Sequence, residues 1–356
     1  MKTFIKWGLL VLFTLAGIFL LGNLNKAFIN QAPDLLQVGT GEEPTLEYVS
    51  SLLPGSAVQS EEDKILRVPY AQVDEYAAKA KRISGVWYAR SVPLEKPVIS
   101  FKSYWYSVTD QVKGYFEGDF GSIRGPTGTW EIPIGDAVKD MFGRSFSYLI
   151  PGLLLAVCSA LLLSLLASLS RQAGRFMDGI HTMLLGLPDF VLVTGLTITA
   201  IFTYKSIGVR LFNVAAFGDT VPFYLPLFTI SLIPGVLIYG TLRLAIQREL
   251  EQDYVVTAKA KGLSGREVLL NHVLRNITDD LLTIMPKATN LALGSMVVAE
   301  AFCDILGLGG IIVSPKLFGV SAMPVSCLVL AVISILFHTV YVLLRKRFVV
   351  RIREVA

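Results

Sequence analysis

Cysteine is scarce in this chain of 356 residues: there are three, and Cys158, Cys303 and Cys327 each lie in or beside an apolar run. No C-x-x-C pair occurs and residues 25–140 hold no cysteine, so neither a disulfide framework nor a thiolate metal site organises the sequence. Histidine is equally rare, and His181, His272 and His338 are too far apart to share ligand spacing, which argues against a metal site built from them. The phosphate-cradling pattern G-x-x-x-x-G-K-[ST] is absent, so the chain is not expected to hydrolyse nucleotide by itself. No repeat of about 20 to 50 residues appears. The most telling shortage is of charge: 17% of residues are charged against 53% apolar, with a mean hydropathy of +0.58. That balance is too apolar for an ordinary soluble domain.

Where charge is missing decides the class, because a helix needs roughly 20 mainly apolar residues to cross a bilayer core. Trp7–Leu24, Ser145–Ser170 and Thr220–Leu242 carry no charge, and Leu317–Leu344 holds only His338. Two more runs contain one acid each, Met183–Tyr204 with Asp189 and Ala288–Cys303 with Glu300. The expectation is an all-α integral membrane protein of about six transmembrane helices.

Orientation follows from the basic flanks, which stay cytoplasmic. Lys2 and Lys6 precede the first run, Arg171 and Arg175 follow the second, Arg243 and Arg248 the fourth, and Arg345, Lys346, Arg347, Arg351 and Arg353 the last. Six spans with both termini inside satisfy all of them. Residues 25–140 then lie outside and carry 16 acids against 12 bases, net −4. Gly22-Asn23-Leu24-Asn25-Lys26 is a poor cleavage site, so the first run reads as an uncleaved anchor. The expected organisation is an anchor over 1–24, an extracytoplasmic segment over 25–141, a membrane core over 142–345 containing a cytoplasmic loop over 246–282, and a basic tail over 346–356. The net charge of +4 reflects these flanks and gives no reason to expect nucleic acid.

Within the outer segment, Pro33, Pro44, Pro54 and Pro69 interrupt residues 25–69, which read as loop with short helical pieces. Tyr70–Ile83 has strong helix formers and no breaker, so it reads as a surface helix. Phe101–Phe120 alternates aromatic and polar residues, as at a membrane interface or in a small outer core. Ile134–Tyr148 reads as amphipathic and leads into the second span.

The most informative stretch is QRELEQDYVVTAKAKGLSGREVLLNHVLRNITDD, from Gln247 to Asp280. Asp253–Lys261 is helix-forming and halts at Gly262, suited to a left-handed cap. Ser264 and Glu267 form a capping box that starts the next helix. On that helix Leu270, Val273, Leu274, Ile277 and Leu281 make one apolar stripe, which something must cover. The small residues Thr257, Ala258, Ala260 and Gly262 would let another protein's backbone approach closely. Asn276-Ile-Thr278 matches a glycosylation sequon but would face the cytoplasm.

The run DYVVTAKAKGLSGREVLLNHVLRN resembles the EAA loop of the inner-membrane permeases of peptide ATP-binding-cassette importers, the dipeptide and oligopeptide permease family. Flanking elements resemble it in order and spacing: Gly118-Asp119-Phe120-Gly121 the GDxG element, Pro188-Asp189-Phe190 the P-x-F element, and Glu300 with Gly307-Leu308-Gly309 the E-x-x-F…PGLG element. The resemblance covers about Lys113–Arg353 and the anchor. Leu306 stands where the family usually has proline, Asp189 where it usually has a small or neutral residue, and Glu42–Lys113 is longer than usual.

The resemblance implies a type I importer permease fold, with a coupling helix that docks on a cytoplasmic ATPase through Asp253, Thr257, Ala258, Ala260, Gly262 and Leu263. It implies as partners a second homologous permease, two ATPase subunits carrying the ATP and magnesium, and an extracytoplasmic solute-binding protein, all at a prokaryotic plasma membrane. No cofactor is expected on this chain. The solute would be a peptide or similar small molecule, with nickel or a metal chelate as the alternative. A secondary transporter driven by an ion gradient should show inverted repeats, which are not seen. A ligand sensor would not require five spans beyond an anchor. Asp189 and Glu300 are the translocation-pathway candidates, since an intramembrane carboxylate usually faces a cavity or a partner. The competing reading makes Asp189 a helix cap after Pro188 or a group near the outer mouth in water, and Glu300 a brace for the helix–loop junction near Gly307. Lys287, after Pro286, reads as a residue reaching for headgroups.

Overall fold

Backbone groups in an apolar run must be satisfied within the run, and the long uncharged stretches accordingly form helices. The computed structural model describes residues 2–41, 43–124, 131–217, 220–313 and 323–348. The chain divides into two units, Met1–Phe120 and Gly121–Ala356.

In the first unit, α1 (Lys2–Gly22) and a 3-10 turn (Leu24–Ala27) are followed by β1 (Phe28–Thr40), α2 (Leu46–Ser51), β2 (Ala57–Ser60), β3 (Ile65–Arg67), α3 (Val73–Ala80), β4 (Val86–Ile99) and α4 (Phe101–Glu117). The strands form one antiparallel sheet in the order β2-β3-β1-β4, with Leu36 opposite both Leu66 and Ser91. Leu36, Val38 and Leu66 point into a core closed by Val49 and Leu53 of the α2 region and by Val73, Tyr76 and Ala80 of α3.

This sheet corrects the all-α expectation, and the loop reading of 25–69 in particular. The misleading signal was proline. Pro33 lies within β1 where the pairing shifts register between Gln31 and Leu36, and an irregularity of that kind tolerates a residue with no N–H. The strand resumes beyond it, with Leu36 and Val38–Thr40 buried. The aromatic stretch 101–120 is mainly the helix α4, with Ser100 as its N-cap. Its Tyr104 and Val108 cluster with Ala27, Phe19 and Leu20, and the Tyr104 hydroxyl donates to the Leu20 carbonyl at 2.8 Å.

The second unit begins with a hairpin of β5 (Ser122–Arg124) and β6 (Glu131–Pro133). Then follow α5 (Ile134–Leu169), α6 (Arg171–Leu185), α7 (Asp189–Ile207), α8 (Tyr224–Leu250), α9 (Asp253–Ala260), α10 (Gly265–Val268), a π-helical turn (Leu269–Val273), α11 (Leu274–Asn276), α12 (Thr278–Phe302), α13 (Gly310–Val313) and α14 (Met323–Phe348). Among the described residues, five helices are long and apolar enough to cross a membrane: α5, α7, α8, α12 and α14. The sixth run read from the sequence lies in α1, whose apolar stretch Lys6–Gly22 is shorter. Residues 317–322 of the last run and 349–356 of the basic tail lie outside the described residues.

The third run begins later than its composition suggests. Met183 belongs to α6, and the helix restarts at Asp189 after Pro188, because proline's fixed φ and missing N–H suit it to a helix start and not to an interior. α8 lies between α5 and α12. Gly152 of α5 permits the first crossing: a β-carbon there would come within 2.8 Å of Ile230 Cγ2. By contrast, α7 and α14 bury few residues, Val193 and Ala200 on one and Pro324, Ser326 and Ile333 on the other.

Candidate functional site

The segment between α8 and α12 is built as two capped helices back to back. α9 starts at Gln252, whose extended backbone breaks from α8, with Asp253 in the first turn where an acid favours the helix dipole. It ends in a paired bonding pattern. The Gly262 N–H donates to the Lys259 carbonyl at 2.9 Å and the Leu263 N–H to the Ala258 carbonyl at 3.3 Å, the arrangement that left-handed glycine caps make. Gly262 has φ of +86°. The next residue opens α10 at once: the Glu267 N–H donates to Ser264 Oγ at 3.3 Å, and the Ser264 N–H donates to Glu267 Oε2 at 2.7 Å. The Ser264 backbone N–H and then its side chain hold the Glu267 carboxyl below its ordinary range.

Of the eight loop residues singled out from sequence, Asp253, Thr257, Ala260, Gly262, Leu263, Ser264 and Glu267 are exposed. Ala258 is buried with Val255, beneath α9. The small Ala258 side chain therefore seats α9 on the helices below and is turned away from the outer face. The apolar stripe beyond the loop also departs from its expected phase. Val273 and Ile277 are buried, but Leu270 is 54% exposed while Val268 and Leu269 are buried. The cause is the π turn at Leu269–Val273, whose wider winding shifts the face by one residue.

Glu300, on α12, is wholly buried. One of its oxygens accepts from Ser145 Oγ at 2.6 Å and from the Tyr148 hydroxyl, both on α5. The other accepts the backbone N–H groups of Gly309 at 2.7 Å and Gly310 at 2.8 Å. Ser145 Oγ in turn accepts from the Leu308 N–H at 2.9 Å. Arg144 donates to the Leu306 carbonyl at 3.3 Å. The carboxylate thus ties α12, α5 and the turn 306–310 into one junction, and four donors satisfy its lone pairs.

The two acids are not brought together. Asp189 sits in the first turn of α7, partly buried, and accepts from Ser295 Oγ in the middle of α12. A third acid escaped the sequence reading. Asp178 of α6 accepts from the Tyr239 hydroxyl at 2.7 Å and from Arg243 Nε at 3.3 Å, both on α8, and Arg243 also donates to Ser168 of α5 at 3.1 Å. Burial works against ionisation of Asp178, yet the bonds from Tyr239 and Arg243 prevail and hold its carboxyl below the ordinary range. In the sequence Arg243 reads only as a basic flank, and Ser145 and Tyr148 only as minor polar residues of an apolar run. The His181 ring lies tilted beside that of Tyr239, with ring centroids 5.3 Å apart. Among the described residues no group of acids, histidines and cysteines is arranged to hold a metal.

Comparison with known proteins bears on this geometry. The chain is similar to the dipeptide transport system permease protein DppB of Bacillus subtilis, 29% identical over 224 residues, which are 61% of this chain and 66% of that one. It is similar to the DppB of Lactococcus lactis, 30% identical over 39% of this chain and 46% of that one, so in both cases the match spans under two thirds of the relative. The oligopeptide transport system permease protein OppB of Mycobacterium tuberculosis is 26% identical over 267 residues, covering 70% of this chain and 73% of its own. Residues 152–354, which include the capped loop, Glu300 and the turn 306–310, match the family model of the binding-protein-dependent transport system inner membrane component. With its apolar helices, its doubly capped loop and these matches, the chain belongs to that family, as a multi-pass membrane protein resembling the permeases of peptide ATP-binding-cassette importers.

Proposed function

We propose that the chain is the membrane-spanning permease subunit of an ATP-binding-cassette importer and carries peptides or solutes of similar size across the plasma membrane. The observation that carries this reading is the loop. An exposed, eight-residue helix opens after the break at Gln252, is closed by the left-handed cap at Gly262 and is seated on a buried apolar cluster, offering Asp253, Thr257, Ala260, Gly262 and Leu263 to a partner. A rigid exposed knob on the ends of long helices is what an ATPase subunit needs to push them. ATP and magnesium would be bound by two such subunits and none by this chain, which lacks a phosphate-binding loop.

In this reading a second, homologous permease completes the pathway, both termini are cytoplasmic, and residues 25–141 lie outside, where a solute-binding protein docks. The relatives named for dipeptides and oligopeptides support a peptide-sized cargo. Asp189, partly buried at the start of α7, is the better pathway candidate. Glu300, with both oxygens engaged, braces the junction between α12 and the turn after it.

The test is a mild-detergent pull-down of the tagged chain, with ATPase activity measured on what co-purifies, for wild type and Gly262→Pro. Proline cannot adopt the left-handed cap. The expected result is a second permease and active ATPase subunits with wild type, and their loss from the variant. A wild-type chain that purifies alone, with no ATPase activity, would overturn the reading.

A further inference from the structure

A carboxylate outside the Glu300 and Asp178 clusters joins α8, α9 and α11. Glu249 stands one residue before the end of α8, with its side chain 15% exposed. A single oxygen, Oε2, accepts from the Tyr254 hydroxyl at 2.8 Å and from Asn276 Nδ2 at 3.0 Å. Tyr254 lies in the first turn of α9. Asn276 closes α11, two residues before α12 begins. The neighbouring Arg248 reaches Asp280, in the first turn of α12, at 2.7 Å.

The tie matters because α9 has a pivot at each end. Gln252, with φ −74° and ψ 148°, breaks the helix from α8, and Gly262 breaks it from α10. The buried Val255 and Ala258 resist lifting of α9, but apolar contacts have no direction and permit sliding. A hydrogen bond is directional, and one to a carboxylate is stronger than a neutral one. Burial, and after it the bond to Glu249, pushes the Tyr254 phenol up to about 12, so it remains a donor at neutral pH.

We infer that Glu249 is a positioning residue that locks α9 to both α8 and α12, so that displacement of α9 moves the two long helices as one body. The inference rests on the importer reading and adds how the push is delivered.

The experiment uses the chain assembled with its ATPase subunits in lipid nanodiscs. Cys158, Cys303 and Cys327 are replaced by serine, and spin labels are attached to Gln247→Cys on α8 and Lys259→Cys on α9, both exposed positions. Distances are read by pulsed electron resonance without nucleotide and after trapping with ATP and vanadate. The expected result for the otherwise wild-type complex is one narrow distance, unchanged between states. Tyr254→Phe keeps the ring and the burial but removes the donor. It is expected to broaden the distribution and shift it on trapping, while ATPase subunits still co-purify. Glu249→Gln keeps an acceptor oxygen and is expected to retain the narrow distance, a rescue that a generally weakened fold would not give. A distance that shifts in the wild-type background, or a Tyr254→Phe distance identical to wild type, overturns the inference. So does loss of ATPase subunits from Tyr254→Phe, which would make the tie a docking feature. Failure of the importer reading is separate and visible beforehand, as the absence of any ATPase in the unlabelled wild-type preparation.

Discussion

The Glu300 carboxylate occupies the space that a β-carbon on Gly307 would fill. A residue with any side chain at 307 would have to displace a group held by four hydrogen bonds. Gly307→Ala should therefore destabilise the chain by about 1–3 kcal/mol, the usual cost of overfilling a packed site. A β-carbon added at Gly294, on the same helix as Glu300, would meet nothing within 4 Å. There alanine should be neutral or stabilising, since it is the better helix former by about 1 kcal/mol. Thermal unfolding of the two variants in one detergent decides it: equal melting temperatures would show that the junction yields.

Glu300→Gln tests the junction from the other side. The carboxylate receives two backbone N–H groups, which cannot rotate, and two hydroxyls, which can. An amide oxygen can serve the backbone pair only if its NH2 faces Ser145 and Tyr148, forcing their hydroxyls to turn. The expected loss is about 1–3 kcal/mol, the cost of a buried polar group left without its partner. Ser145→Ala should cost a similar amount, because it removes one donor to the carboxylate and leaves the buried Leu308 N–H without its acceptor. Lowered melting temperatures for both variants are the expected outcome, and a wild-type value for either would contradict the bonding scheme.

The start of α10 should be sensitive to acid. Glu267 has its carboxyl held below the ordinary value of 4.5, first by the Ser264 backbone N–H and then by the Ser264 side chain. A carboxyl lowered in the folded state stabilises above its unfolded value and loses that contribution as pH falls through the folded one. Amide exchange of residues 264–268 should therefore be slow at neutral pH and quicken, beyond its intrinsic pH dependence, as the pH drops below about 4.5. In Glu267→Gln the acid-dependent part should vanish. Persistence of that dependence in the variant would assign it elsewhere.

Arg243 joins three helices through Asp178 of α6 and Ser168 of α5. Arg243→Ala leaves Asp178 with Tyr239 alone, and because the Asp178 side chain is 43% exposed the loss should be modest, about 1 kcal/mol. Its readout is local. Trypsin should cut faster at the exposed Arg171 and Arg175 of α6 as that helix loosens. Arg243→Lys should fall between, since an ammonium cannot span both Asp178 and Ser168 as the guanidinium does. Unchanged cleavage in Arg243→Ala would mean that apolar contacts alone seat α6.

The loop was the most legible part of the chain because its structure is local. A glycine after a helix-forming run and a serine three residues before a glutamate dictate caps whose partners lie within a few residues, and Gly262, Ser264 and Glu267 form them as expected. The π turn was not legible. No residue in LLNHV demands it, and its wider winding is offset only by the burial of Leu269 and Val273 against neighbouring helices. The sheet of residues 28–99 was missed for a related reason. Pro33 reads as a break within its own neighbourhood and becomes tolerable only at a register shift that pairing with β4 creates.

By itself the sequence determined the consequences of composition and short-range chemistry: the apolar runs that become long helices, and the capped loop that carries the family's motif. Only the tertiary structure decided which polar groups meet. Glu300 finds Ser145 and Tyr148 more than 150 positions away, Asp178 finds Arg243 on another helix, and Glu249 reaches both Tyr254 and Asn276. Such pairings depend on how helices cross, and an apolar environment enforces them because an unmatched polar group there has no water to turn to.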